Sequence, residues 1–143
     1  MDLQGKVAVV TGTNREIGAT MGEALAQASA AVLVAHYGEA ERVAATIERI
    51  TAAGGQAVAY DADLRSVAAN QALVAKAVEI FGRVDIFAAN AGLTIEAPFL
   101  ATDESTWNTL VDLNLKGSYF GAQAAARHMI AQAMAAGSCF PRR

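Results

Sequence analysis

Two short loops carry the residues whose types and spacing could do chemistry. The first is TGTNREIG, residues 11–18, in which Gly12 and Gly18 flank Asn14, Arg15, Glu16 and Ile17. A glycine behind an apolar run allows a tight turn. A helix opening directly after it offers free N–H groups and a positive dipole end to a phosphate. An ordinary glycine-bearing turn would use the same residues, but a place after the first strand favours a dinucleotide site. The second loop is ANAG, residues 89–92, where Asn90 can turn its amide onto backbone groups beside Ala91 and Gly92. Two further stretches belong with them. In DADL, Asp63 and Leu64 either cap a following helix or face a ligand. In DLNLKG, Asn114 sits inside a helical pattern, where asparagine is mildly unfavourable and needs a specific partner.

The elements that must position these loops follow from apolar periodicity. Residues 6–11 form a valine-rich run that ends at Gly12 and predicts a buried strand. Ile17, Met21, Ala24, Leu25 and Ala28 then mark one face of a helix. Residues 31–36 predict a second strand, 39–53 a helix stopped by Gly54 and Gly55, and 56–60 a third strand. Ser66 is placed to cap a helix that runs to Gly82, and residues 84–89 predict a fourth strand. Thr102 or Asp103 opens one long helix reaching about Met129. Strands that alternate with helices and are continuously apolar predict an α/β, Rossmann-like, doubly wound parallel sheet, here of four strands in order 3-2-1-4. Ligands bind such sheets beyond the carboxyl ends of the strands, where the order reverses. That crevice falls between the two loops.

Bulk properties narrow the function classes. The chain has 143 residues, 54% hydrophobic and 17% charged, as expected of one globular domain. A net charge of -3 without a basic stripe argues against nucleic acid as a partner. The start lacks a leader pattern, and apolar runs are too short to cross a bilayer, so no membrane partner is expected. Cys139 is the single cysteine, which suits a reducing compartment and a cytoplasmic location. His36 and His128 lie far apart with no Cys or carboxylate at ligand spacing, so no metal site is expected.

Taken together, these stretches resemble the short-chain dehydrogenase/reductase family. Thr11-Gly12 with Gly18 is similar to its glycine-rich loop, Asp63-Leu64 to its adenine-pocket pair, Asn90-Ala91-Gly92 to its Asn-Ala-Gly turn, and Asn114 to its catalytic-helix asparagine. The similarity runs from Gly5 to about Gln132. It implies a nicotinamide dinucleotide as cofactor, hydride transfer with a small alcohol or carbonyl, and a homo-oligomer built partly on the long helix. Gly117, Gly121 and Ala125 give that helix a smooth face suited to close packing. An acidic residue at the end of strand two would grip the ribose hydroxyls of NAD. His36 holds that place, followed by Tyr37, and Arg15 could meet a 2′-phosphate, so NADP is favoured over NAD. The plainer alternative makes His36 and Arg15 solvated loop residues. A signalling or flavin-binding α/β domain fits the same rhythm but not the Asn90 and Asn114 pattern.

Two departures qualify the resemblance. The middle glycine of the loop is Glu16, which adds bulk and a like charge beside a pyrophosphate. Two like charges ~4 Å apart repel by about 1 kcal/mol in water and about 4 kcal/mol at an effective dielectric near 20, so weakened binding is expected. The family also uses a serine and a Tyr-x-x-x-Lys pair, the lysine lowering the tyrosine pKa. Tyr37, Tyr60 and Tyr119 are followed four residues on by Glu41, Leu64 and Gln123, so Asn114 alone remains of the catalytic set. A catalytically inactive nucleotide-binding or dimer-interfering fragment is therefore the second reading.

The end of the chain, AMAAGSCFPRR, has neither period nor cap logic. Its codons, read one base earlier, permit G-N-G-G-R-I-V-F-S-S-S, a glycine-rich turn, strand and serine segment of the kind the family places next. Residues 1–132 are thus expected to be a partial dinucleotide-binding domain and 133–143 an out-of-frame tail. The fourth strand would then be an exposed edge presenting Val84 and Ile86, with aggregation as the expected consequence.

Overall fold

The computed structural model describes residues 2–13 and 16–136, with only the backbone of Glu16. Strands β1 (Val7–Thr11), β2 (Ala31–His36), β3 (Gln56–Asp61) and β4 (Ile86–Ala88) form one parallel sheet in order β3-β2-β1-β4. This is the expected order. Helices α1 (Glu16–Gln27), α2 (Ala40–Ala52) and α3 (Val67–Phe81) supply the crossovers, and α4 (Glu104–Val111) and α5 (Ser118–Ala135) follow β4; α1 and α2 cover one face, α3 and α5 the other.

Alternation along the strands divides the core. Val9, Leu33 and Ala35 point toward α3 and α5, where they pack with Leu73, Val74, Ala77 and Ala125. Ala8, Val10, Val32 and Val34 point the other way, onto Val43 and Ile50 of α2. Every residue of β1 is buried, which is why that strand is apolar without interruption. Each such valine or leucine contributes about 1.5–3 kcal/mol of burial free energy.

Boundaries follow the local signals. The Ser66 hydroxyl accepts the Ala69 N–H at the start of α3, and Gly82 ends that helix in the left-handed region at φ 81°. Asp103, not Thr102, caps α4 by accepting the Thr106 N–H at 2.7 Å.

Two expectations are corrected, and the small-residue face of the long helix finds its close packing within the chain. The fourth strand is shorter than 84–89, because Val84 spends its backbone groups on a side chain instead of the ladder. Its N–H donates to Gln132 Oε1 at 2.7 Å and its carbonyl accepts from Gln132 Nε2 at 2.8 Å. Val84 is fully buried, so it does not present an edge; Ile86 is half-buried. The long helix is interrupted by a π-helical segment, Asp112–Gly117, and continues beyond Met129 through Ala135. Residues 133–135 of the expected tail thus lie in α5, and 137–143 lie outside the described residues. Finally, the small-residue face of α5 packs inside the chain. A Cβ on Gly121 would come 2.6 Å from Phe87 Cζ and 2.8 Å from Asn70 Oδ1, and one on Gly117 would come 2.6 Å from the Leu64 carbonyl oxygen. The face is smooth because α3 and β4 press against it.

Candidate functional site

The loops after β1 and β4 meet where the strand order reverses, and a set of reciprocal hydrogen bonds laces them together. The Asn90 and Ala91 N–H groups donate to the Thr11 hydroxyl oxygen at 3.0 and 2.9 Å. That hydroxyl donates to the Ala88 carbonyl at 3.2 Å. In return Asn90 Nδ2 donates to the carbonyls of Thr11 and Gly12 at 3.0 and 3.1 Å. A hydroxyl is needed at position 11 because one side chain must both accept and donate here.

Two glycines are consequences of this approach. Gly12 has φ 68°, and a Cβ there would sit 2.7 Å from Ala91 Cα. A Cβ on Gly18, in the first turn of α1, would collide with the Gly12 carbonyl oxygen and stand 2.7 Å from Asn90 Nδ2. The two glycines thus let the β1 and β4 loops approach this closely, and Gly12 also borders the open groove in front of them. Ile17 is exposed and borders the same groove, with Asn90 and Gly92. Asn14, Arg15 and the Glu16 side chain lie outside the described residues.

Beside this groove lies a cavity of about 340 Å³, lined among others by His36, Tyr37, Asp63, Leu64, Arg65 and Ala91. His36 ends β2 and is buried, in contrast to the solvated-loop alternative. Its Nδ1 makes no hydrogen bond and lies 3.8 Å from Asp61 Oδ2. Tyr37 is exposed, with the Arg65 guanidinium 5.6 Å from its ring centroid. The Leu64–Ser66 backbone is held by a residue the sequence reading overlooked. Buried Asn70 donates from Nδ2 to the Leu64 and Ser66 carbonyls at 2.8 and 2.9 Å. Its signal was an amide among the inward-facing positions of an otherwise apolar helix.

Asn114 finds the partner its helical position demanded. It accepts the Leu93 N–H and donates to the Leu93 carbonyl, both at 2.9 Å. Both ends of the amide are used on the strand-like backbone after Gly92, and a Cβ on Gly92 would lie 3.3 Å from Asn114 Oδ1. In this structure the side chain positions the β4 loop. Gly12, Gly18, Asn90, Ala91, Gly92 and Asn114 are brought to one place, with His36, Tyr37, Asp63 and Leu64 around the adjoining cavity. Among the described residues, no group of three or more His, Cys, Asp or Glu could hold a metal ion, and no helix is long and apolar enough to cross a membrane.

Residues 6–138 match the short chain dehydrogenase family. The chain belongs to that family. It is 41% identical over 130 residues to 2-dehydro-3-deoxy-D-gluconate 5-dehydrogenase of Escherichia coli, covering 91% of this chain and 50% of that protein. A putative short-chain alcohol dehydrogenase of Sinorhizobium meliloti has a similar structure, with a TM-score of 0.85 and 42% identity over 90% of this chain and 50% of the other. A short chain dehydrogenase of Burkholderia cenocepacia solved with NADP gives 0.86 and 34% over 90% of this chain and 52% of the other. The chain spans about half the length of the curated relatives it matches.

Proposed function

We propose that this chain binds a nicotinamide dinucleotide across the carboxyl ends of β1 and β4, as part of an oxidoreductase acting on an alcohol or carbonyl. The observation that carries this reading is the open groove bordered by Gly12, Asn90 and Gly92 at the strand-order reversal, where Thr11 and Asn90 lace the two loops together. When bound, the nicotinamide supplies or takes up the hydride. The chain's own residues bind and orient. The Gly12–Gly18 backbone leaves room for the pyrophosphate. Asp63 and Leu64 face the adenine, and His36 and Tyr37 the ribose. Without an acidic side chain at position 36, a 2′-phosphate meets less repulsion, which favours NADP over NAD. Asn114 keeps the loop after Gly92 in register with this site.

The second reading, a nucleotide-binding fragment without turnover, rests on the spacing of the three tyrosines. None has a lysine four residues on, so the 143 residues contain no Tyr-x-x-x-Lys pair to move a proton. Titration calorimetry with NADP and NAD tests binding, and NADPH absorbance with a carbonyl substrate tests turnover. We expect measurable NADP binding, several-fold tighter in Glu16→Gly as like-charge repulsion is removed, and no protein-dependent NADPH loss. Absence of nucleotide binding in both proteins overturns the first reading; robust turnover overturns the second.

A further inference from the structure

The Asp63 carboxylate is already spent. Its Oδ1 accepts from the Arg65 backbone N–H at 3.1 Å and from Arg65 Nε at 2.8 Å. Its Oδ2 accepts from Nε at 3.1 Å and from Nη2 at 2.6 Å. Three N–H donors make these four contacts, Nε–H being shared between the two oxygens, and the side-chain fork is the strong bidentate kind. Arg65 hydrogen bonding outweighs the opposing desolvation and holds the Asp63 carboxyl below the usual carboxylate range. The same guanidinium lies 5.6 Å from the Tyr37 ring centroid, so Arg65 links the loop after β3 to the residue after β2, and Asp63, Arg65 and Tyr37 all line the cavity. An adenine amino group that seeks Asp63 meets a carboxylate already engaged by Arg65.

We infer that Arg65 is a latch on the purine pocket and a selector for nucleotides with a 2′-phosphate. The inference rests on the dinucleotide reading above. It follows from the balance of partners in the exchange. A purine amine displaces the guanidinium from Asp63, so the carboxylate trades one set of donors for another. The guanidinium is left at the end of β2, beside Tyr37 and His36, where the ribose is placed. With a 2′-phosphate there, Arg65 exchanges a carboxylate for a phosphate and loses nothing. With a bare ribose it gains only a hydroxyl, and latch opening is uncompensated. His36 adds to the same end, since its buried Nδ1 has no hydrogen-bond partner.

The other carboxylates around the cavity do not substitute for the ligand. Glu39 pairs with Arg42 at 3.2 Å. Asp61 accepts the Gly38 N–H at 3.3 and 3.4 Å and lies beside His36. Arg65 is thus the cation at this cavity whose partner is the group the adenine requires.

The test is calorimetric titration of the whole chain, as wild type, Arg65→Met and Arg65→Lys, with adenosine 5′-monophosphate and adenosine 2′,5′-bisphosphate. Circular dichroism checks that each variant is folded; Arg65 is partly exposed, and lysine retains the charge without the fork. The wild type is expected to prefer the bisphosphate by about tenfold, the scale of one charge-assisted hydrogen bond. Arg65→Met should bind the monophosphate several-fold tighter than wild type and lose most of the preference, with Arg65→Lys in between. Monophosphate affinity unchanged in Arg65→Met, or a preference that survives in it, overturns the latch while leaving the dinucleotide reading intact. No binding of either nucleotide by any of the three folded proteins overturns both.

Discussion

The crevice between β1 and β4 and the surface running from residue 93 into α4 are adjacent in sequence and opposite in character. In the crevice Thr11 and Asn90 each engage backbone of the other loop, and glycines occur where a Cβ would strike backbone. Along residues 93–107 the side chains are mostly unsupported: Phe99 is 91% exposed, Leu100 95% and Trp107 62%. The crevice is completed by contacts within residues 2–136, whereas this apolar surface has no cover among the described residues. Substitutions in the first region should therefore be felt in stability, and those in the second only in association.

The largest effect is expected from Gly18→Ala. Alanine is a better helix former than glycine, so propensity alone predicts a gain of about 1 kcal/mol. Against that, the added Cβ would run into the Gly12 carbonyl oxygen and crowd Asn90 Nδ2. Backbone cannot yield there without opening the Thr11–Asn90 lacing, so a net loss of roughly 2–4 kcal/mol is expected. Urea unfolding measures it, with nucleotide affinity falling in parallel. A neutral or stabilising result would mean that the loops are not locked together and that the contrast between the regions is overstated.

The sequence made the crevice legible through residues whose types are costly elsewhere: glycines behind a strand, and an asparagine in a helix. Strand order was legible for the same reason, since continuous apolar strands with helical crossovers leave few arrangements. What escaped was any feature set by a distant side chain. Gln132 takes over the backbone of Val84 and shortens β4, and nothing near residue 84 signals it. The π-helical turn at Asp112–Gly117 likewise has no periodic signature, because its apolar residues read equally well as α-helix. Arg65 was missed because an arginine after Asp-Leu looks like an ordinary solvated charge, and only its fork onto Asp63 shows otherwise.

A smaller, pH-dependent effect is expected at Asp85, which ties the start of β1 to the approach of β4. Its carboxylate accepts the Val7 N–H at 2.9 Å and pairs with Arg83 at 2.6 Å and Lys6 at 3.7 Å. Desolvation pushes this carboxyl upward, but the Arg83 and Val7 hydrogen bonds together outweigh it and leave the folded pKa below the usual carboxylate range. A folded pKa below the unfolded one stabilises the protein above the unfolded value, about 3.9, and that stability is lost as pH falls through the folded pKa. Asp85→Asn should then cost about 1 kcal/mol at pH 7 and progressively less below pH ~4. Urea midpoints of both proteins from pH 7 to pH 3 provide the check. A pH-independent difference would place the effect in packing, not charge.

The smallest effect on stability is expected where the most apolar surface is exposed. In Phe99→Glu/Leu100→Glu both side chains lie in the short 3₁₀ turn Phe99–Ala101, and neither is buried by another element. Their removal forfeits almost no burial, and surface changes of this kind usually fall within about 0.5 kcal/mol. Self-association should respond instead. Two adjacent, nearly fully exposed large apolar residues, with Trp107 close behind in sequence, favour contact between copies, and two glutamates add like-charge repulsion to lost hydrophobic attraction. Sedimentation velocity at rising concentration is expected to show less association in the double variant, at an unchanged urea midpoint. A loss of more than about 1 kcal/mol would show that this turn is packed in solution, beyond the range for an unsupported surface. The crevice would then not be the only part of the chain completed by its own contacts, and the comparison between the two regions would fail on its weaker side.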